Sequence, residues 1–454
     1  MSADKNKKSI SGFSKLTKLG KMKWLVENFF IDPENVMREL KSYWLQDDQQ
    51  KVLDGFSENT ISNFLLPYGV APNFVINGKT YVVPMVTEES SVVAAASAAA
   101  KFWMTRGGFN AKVIDTQKIG QVHFLWEGAS SKLFNIFPEL KDRLKKDTAH
   151  ITANMDKRGG GILDIELLDK TEDLSNYYQL KASFETCDSM GANFINSVLE
   201  EFGLILCDFI QEQKDFDEVE QECEVIMAIL SNYTPDCLVR TWVECPVEDL
   251  GDFPNEMDAR TFADRFCQAV WIATIDPYRA TTHNKGIFNG IDAVVLATGN
   301  DFRAIEACGH TYASSKGQYR SLSSCKIKDG RFHFSMDLPL AVGTVGGLTK
   351  LHPIAKRSLE LMGNPNAEEL MGIIAATGLA QNFAALRSLV TTGIQKGHMK
   401  MHLQNILNHL EATEEEATAA MKHFHDKVVS FNNVRNLLDQ LREPKSRRNL
   451  TNSN

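Results

Sequence analysis

Arg279 and Lys285 stand six positions apart in a segment rich in Gly and Asn. It runs from Asp276-Pro277-Tyr278-Arg279 through Thr282-His283-Asn284-Lys285-Gly286 to Asn289-Gly290. A guanidinium forks onto a carboxylate, and an ammonium offers a point charge to an oxyanion, so the pair suits an anionic substrate. Two solvated surface charges would produce the same pattern. Asp301 closes Ala297-Thr298-Gly299-Asn300-Asp301, at the end of an apolar stretch from Ile291. An Asp in that place edges a site or caps a helix, and the segment alone does not choose.

Other segments add to these. Glu88, Glu89 and Ser90 precede the Ala-rich run Val92 to Phe102, as acids and Ser precede a helix N-terminus. Asp188-Ser189-Met190-Gly191-Ala192-Asn193 lies between a strand pattern and a helix pattern. A Gly at a helix start lets a phosphate approach outward N–H groups at the positive end of the dipole. It is not the G-x-G-x-x-G of a Rossmann site, and a helix cap beside a packing Gly is the plainer alternative. Val342-Gly343-Thr344-Val345-Gly346-Gly347 could wrap a ligand or simply pack tightly. His398 and His402 share a helix face after Gly397 and could bind a metal, but no third ligand is evident. A His beside a Gly is better suited to proton donation, so no metal is expected.

The elements around these residues read as α+β. The first 55 or so residues look helical, and Asn77-Gly78 marks a hairpin between Phe74–Ile76 and Thr80–Val86. From Ala111 the order is strand, helix, strand, strand, helix, a layer of ferredoxin-like kind. Ala367 to Ile394 is a long apolar helix, and amphipathic helices follow from Met399 to Leu441. The expected organisation is a large mixed helical domain at residues 1–110 and 223–394. A small nucleotide-binding domain is inserted at 111–222, and a helical flap at 395–442 precedes a polar tail at 443–454.

The 454 residues are 43% hydrophobic and 24% charged, enough apolar mass for a large core and for two or three domains. A net charge of -9 argues against nucleic acid as a partner. The eight cysteines contain no C-x-x-C, and no apolar run of signal-peptide or spanning kind stands at the start. The chain therefore reads as soluble, cytoplasmic and thiol-reduced, with no membrane partner.

Taken together the segments resemble hydroxymethylglutaryl-coenzyme A (HMG-CoA) reductase of the soluble bacterial class II type. The resemblance rests on Glu58-Asn59-Thr60-Ile61 with Leu66-Pro67-Tyr68, Glu88-Glu89-Ser90-Ser91, and Asp188 to Asn193. It continues through Asp276 to Asp301, Gly343 to Pro353, Gly378-Leu379-Ala380-Gln381-Asn382 and Gly397-His398-Met399. It implies reduction of the HMG-CoA thioester to mevalonate and free coenzyme A by two hydrides. Glu89, Lys285, Asp301 and His398 become the catalytic set. Lys285 would stabilise the alkoxide, and His398 would protonate the departing thiolate. Glu89 would donate the second proton, kept from ionising by burial and by Asp301, which would also orient Lys285. Arg279, Ser91, Asn289 and Asn382 would hold the HMG group. Asp188, Met190, Gly191 and Asn193 would line the nicotinamide cofactor. The Glu58 to Ile61 segment resembles the family's dimer motif, which implies a homodimer or a higher oligomer of dimers. The family's catabolic direction, NAD-dependent oxidation of mevalonate, is the alternative. A regulatory binding protein would need a broken catalytic set, and all four residues are intact.

Cofactor choice follows from the loop before Gly159. In the family's NAD-using pattern an Asp stands seven residues before the triple Gly; here that position is Thr152. Lys157 and Arg158 adjoin the glycines and suit a 2′-phosphate, while Asp156 could oppose it. NADPH is expected over NADH.

Overall fold

Asn77 and Gly78 both take positive φ, 49° and 79°, and close the expected hairpin between β1 (Tyr68–Ile76) and β2 (Lys79–Val86). The computed structural model describes residues 9–251, 253–254, 257–391, 403–404, 406–424, 427 and 429–442. Three helices precede the hairpin: α1 (Lys18–Phe29), α2 (Pro33–Ser42) and α3 (Asp47–Asp54). After it come α4 (Val92–Met104), β3 (Asn110–Val113) and β4 (Lys118–Trp126). Then follow α5 (Ser130–Asp147), α6 (Ala149–Asp156), β5 (Gly161–Asp169), β6 (Tyr177–Glu185), α7 (Ala192–Gln211) and β7 (Cys223–Leu230). The chain continues with β8 (Leu238–Pro246), α8 (Ala259–Ile275), α9 (Pro277–Ala297), α10 (Phe302–Ala313), β9 (Ser323–Lys328) and β10 (Arg331–Pro339). Last are α11 (Gly347–Leu351), α12 (Pro353–Leu361), α13 (Ala367–Val390), α14 (Glu414–His423) and α15 (Phe431–Arg442).

Two sheets carry separate cores. The first, four-stranded, is antiparallel with order β3-β8-β10-β9. Its inward residues Val239, Val243, Phe332 and Phe334 pack with α4, α8, α9 and α13 in one apolar cluster. Trp103, Phe266, Phe332 and Phe383 interlock there, with ring centroids 5.2 to 6.2 Å apart. α13 is buried almost all round, which is why its sequence lacks a polar face. It is long and apolar enough to cross a membrane, but 67% of that window is buried inside the protein.

Close approach of α9 and α13 fixes the cleft described below. A Cβ on Gly290 would lie 2.8 Å from the Thr377 carbonyl oxygen, so only Gly lets the helices meet there. That contact brings the face of α9 bearing Lys285 and Asn289 beside Asn382.

The second four-stranded sheet is antiparallel with order β5-β6-β4-β7. It shares an apolar cluster with α5 and α7, through Val122, Phe124, Leu140, Leu180 and Phe202. The described part of 403–442 has a third small core, including Leu403, Leu407, Ala420, Phe424, Val434 and Leu438.

Two expectations are corrected. The span 111–222 included part of β3 and excluded β7, yet β3 pairs with β8 in the first sheet and β7 pairs with β4 in the second. Both are edge strands, whose allegiance is decided by pairing and not by local pattern. The cysteines were expected to be reduced, but Cys267 of α8 and Cys325 of β9 form a disulfide, with Cα atoms 5.0 Å apart. Packing of α8 across β9 brings together two thiols 58 residues apart, a proximity that spacing could not show.

Candidate active site

Lys285, Asn289 and Asp292 succeed one another along one face of α9, at helical spacing. Lys285 Nζ lies 2.6 Å from Glu89 Oε2, and Asn289 Nδ2 donates to the same oxygen at 3.4 Å. Glu89 comes from the turn before α4, where Ser91 takes φ 78° as N-cap. Lys285 and Glu89 side chains remain 59% and 40% exposed, so both can reach an incoming molecule. They form part of the wall of a cleft of about 610 Å³, shared with Ser91, Arg279, Asn289 and Asn382. Arg279 is half-buried, and burial pulls its pKa below the usual guanidinium range.

Asn382 is 1% exposed and its Oδ1 accepts from Ser323 Oγ at 2.8 Å. Ser323 Oγ in turn meets His283 Nε2 at 2.7 Å. The neighbour of His283, Asn284, pins the start of this segment: its Nδ2 donates to the Arg320 carbonyl and its Oδ1 accepts from Leu322 N. Three elements, α9, β9 and α13, thus meet under the floor of the cleft.

Asp301 does not meet Lys285 in this structure. Its Oδ1 accepts from Arg303 N and Ala304 N as the N-cap of α10, and its carboxylate pairs with the Arg303 guanidinium at 3.1 Å. The cap geometry and the cation two residues on hold it there, in place of the expected orienting of Lys285; separately, Glu89 is exposed where burial was expected. His398 lies outside the described residues, as does His402.

The cofactor candidates gather at the start of α7. Gly191 is the N-cap in the left-handed region, with φ 90°. The Gly-rich loop at 342–347 lies against this turn. Thr344 N donates to the Asp188 carbonyl at 2.9 Å, and a Cβ on Gly343 would lie 2.5 Å from Met190 N. Gly343 N donates to Asn300 Oδ1 at 2.9 Å, so the turn ending at Asp301 supports the same loop. The Asp188 carboxylate accepts from Ala367 N at 2.8 Å, which ties the loop to the first turn of α13. Asn193 is exposed on the first turn of α7. Lys157 and Arg158 are exposed, and Cys187 Sγ, just before the turn, donates to the Arg158 carbonyl at 3.3 Å. Thr152 differs from expectation. It is 5% exposed, and its hydroxyl donates to Asp156 Oδ2 at 2.7 Å, because α6 turns that face inward.

Residues beyond the motif reading also contribute. Arg387 lines the cleft with its guanidinium 4.9 Å from the Phe102 ring centre. Position 387, ten residues before Gly397, carries no local signature. His283 sits inside a quoted motif but was overshadowed by Lys285. Asp292 is the third. Burial, then Glu306, then Glu88, push its carboxyl up to about 8, so it stays protonated at neutral pH.

Comparison with known proteins agrees with this geometry. The family model for hydroxymethylglutaryl-coenzyme A reductase matches residues 24–403. A 3-hydroxy-3-methylglutaryl-coenzyme A reductase of Archaeoglobus fulgidus is 35% identical over 437 residues, 95% of this chain and 94% of that protein. A solved structure of the Streptococcus pneumoniae enzyme superposes with TM-score 0.70 at 36% identity, over 96% of this chain and all of that one. A class II structure from the same organism, bound to NADPH in open conformations, gives TM-score 0.69 at 39% identity over 84% of this chain and 100% of that one. A match of this length, falling on the residues that build the cleft and the loop, places the chain in the hydroxymethylglutaryl-coenzyme A reductase family.

Proposed function

We propose that this chain reduces HMG-CoA to mevalonate and free coenzyme A, in the biosynthetic direction. The observation that carries the reading is the Lys285–Glu89 pair, 2.6 Å apart on the wall of an Arg279-lined cleft. Lys285 supplies the positive charge that stabilises the alkoxide formed at the thioester carbonyl. The proton for the oxygen of the aldehyde in the second reduction comes from the Lys285–Glu89 pair, in which Lys285 donates to Glu89. His398 protonates the thiolate of coenzyme A. Arg279, Ser91, Asn289 and Asn382 hold the carboxylate and hydroxyl of the HMG group. Asp301 acts from the turn that supports the Gly343 loop, after exchanging its Arg303 partner for Lys285.

The cofactor is a nicotinamide dinucleotide, which supplies hydride when bound. The turn at Met190 and Gly191 fits it, because Gly191 packs against Thr186 in the left-handed region and opens the N-terminus of α7, whose first N–H groups and dipole suit a phosphate. Met190, Gly191 and Asn193 border it, and Asp188 braces the loop from behind. Lys157 and Arg158 favour the 2′-phosphate of NADPH over NADH; the NADPH bound to the S. pneumoniae relative supports this. Thr152, being buried, acts on the loop only through Asp156.

The strand order β5-β6-β4-β7 with α5 and α7 supports a ferredoxin-like small domain, with boundaries near 115 and 231 in place of 111 and 222. The third core supports a separate helical flap at 403–442. Exposed Phe64, Leu65 and Tyr68 follow directly on Glu58 to Ile61 and support a homodimer, since an apolar run of this kind is covered in an assembly. A cytoplasmic, non-membrane location fits the burial of α13. Initial rates of HMG-CoA-dependent NADPH oxidation, with mevalonate identified as product, test the reading. No HMG-CoA-dependent oxidation of either nucleotide overturns it.

A further inference from the structure

His283 is 2% exposed and forms part of the wall of the substrate cleft. Its ring is held by one edge only. Nε2 lies 2.7 Å from Ser323 Oγ and 3.0 Å from Ser321 Oγ, while Nδ1 is buried with no hydrogen-bond partner among the described residues. Hydrogen-bond accounting assigns the proton to one of the two nitrogens. Ser321 Oγ donates its hydrogen to the Ser323 carbonyl at 2.8 Å. Ser323 Oγ donates its own to Asn382 Oδ1 at 2.8 Å. Both hydroxyls have therefore spent their single proton, and each can only accept from the imidazole. Nε2 is the N–H, and Nδ1 is a bare acceptor.

An orphaned acceptor in a buried wall is costly unless a donor arrives. The charged groups nearby, Arg279 one turn earlier on α9 and Lys285 beyond, would face an anionic substrate and have their own acceptors there. The HMG group brings one neutral donor of its own, the tertiary hydroxyl. We propose that His283 Nδ1 accepts the hydrogen bond of the substrate's tertiary hydroxyl, making His283 a specificity-determining residue. This rests on the HMG-CoA reductase reading of the cleft and adds an atom to it. Asn382, whose Oδ1 is occupied by Ser323, keeps its Nδ2 to donate to the substrate carboxylate. The two side chains thus divide the substrate: His283 takes the hydroxyl and Asn382 the acid. Burial, with Arg279 second, holds the imidazole down to about 3, so the acceptor stays unprotonated across the working range of pH.

The test compares HMG-CoA with its analogue lacking the tertiary hydroxyl, on wild type and on His283→Gln. Gln can still donate toward the serines but has no acceptor where Nδ1 lies. Wild type should favour HMG-CoA in kcat/KM by about tenfold to a hundredfold, and His283→Gln should bring that ratio close to one. A variant that slows both substrates equally, leaving the ratio as in wild type, has lost only structure, and the inference falls. A wild type that reduces both substrates equally well also overturns it. If wild type reduces neither, the reading of the site fails, a different result from a failed ratio. Should His283→Gln not fold, a crystal structure of wild type with HMG-CoA decides: hydroxyl within about 3 Å of Nδ1 supports the inference, and hydroxyl elsewhere ends it.

Discussion

The cleft on α9 and the loop at the start of α7 are both proposed to receive anionic molecules, and they are built from opposite materials. The cleft uses long side chains: Arg279, Lys285 and Arg387 carry charge on flexible stems, backed by a buried frame of His283, Ser323 and Asn382. The loop uses backbone, with Gly191 at a helix cap and Gly343 pressed on Met190. Side chains can move charge and protons during a reaction, so they suit a group whose bonds change. A backbone cradle cannot, and it suits a group that is only held. Damage in the cleft should therefore appear in turnover, and damage in the loop should appear in binding.

The largest effect belongs to the cleft. Lys285→Ala should lower kcat for HMG-CoA by about 10²–10³, the usual loss for a missing oxyanion partner. A folded variant with near wild-type initial rates would remove Lys285 from its role and blur the contrast. Next comes the loop. Gly343→Ala places a Cβ against Met190 N, and strain of about 1–3 kcal/mol should raise KM for NADPH roughly tenfold. Its KM for HMG-CoA should change little; a loss confined to kcat would mean that the loop takes part in the chemistry. Smaller still, Arg158→Ala should reduce the preference for NADPH over NADH by about threefold to tenfold, read from the two kcat/KM values. An unchanged ratio would assign 2′-phosphate recognition elsewhere.

The smallest effect sharpens the comparison from behind the cleft. Burial, with Glu306 second, pushes the Asp292 carboxyl up to about 8 from its ordinary 3.8, so the folded chain keeps a proton there that the unfolded chain loses. Its contribution to stability is full below about pH 4 and is lost as pH rises through about 8. Asp292→Asn cannot ionise. Its melting temperature relative to wild type should therefore rise by a few degrees between pH 5 and pH 9. A difference that is flat with pH would show that Asp292 ionises freely.

The two regions were also unequally legible in the sequence. Glu89, Lys285, Arg279 and Asn382 lie in contiguous motifs, and local order around them, including the Asn77-Gly78 hairpin, follows from rules of short range. What escaped reading depends on partners distant in the chain. Ser323 reaches His283 across 40 residues, and the reason is the pairing of β9 with β10 beside α9. Asp301 was legible as an acid and as one of two choices, site edge or cap, but its pairing with Arg303 was not. Thr152 sat at the expected distance from the glycines, yet helix phase turns it inward. The allegiance of β3 and β7 and the Cys267–Cys325 bond are likewise decided by tertiary packing.

The buried helix α13 has a consequence for how the chain is made. Its 24 residues form a rod of about 36 Å that is apolar on nearly every side, a hazard if displayed in water. The chain places it late. α4, both sheets, α8 and α9 all precede residue 367, so the walls of its socket exist before the rod leaves the ribosome. The socket itself is split, because β4 to β7 and their helices intervene between α4 and β8. The smaller unit can thus close on its own core first, while α4 waits for the helix that will cover it.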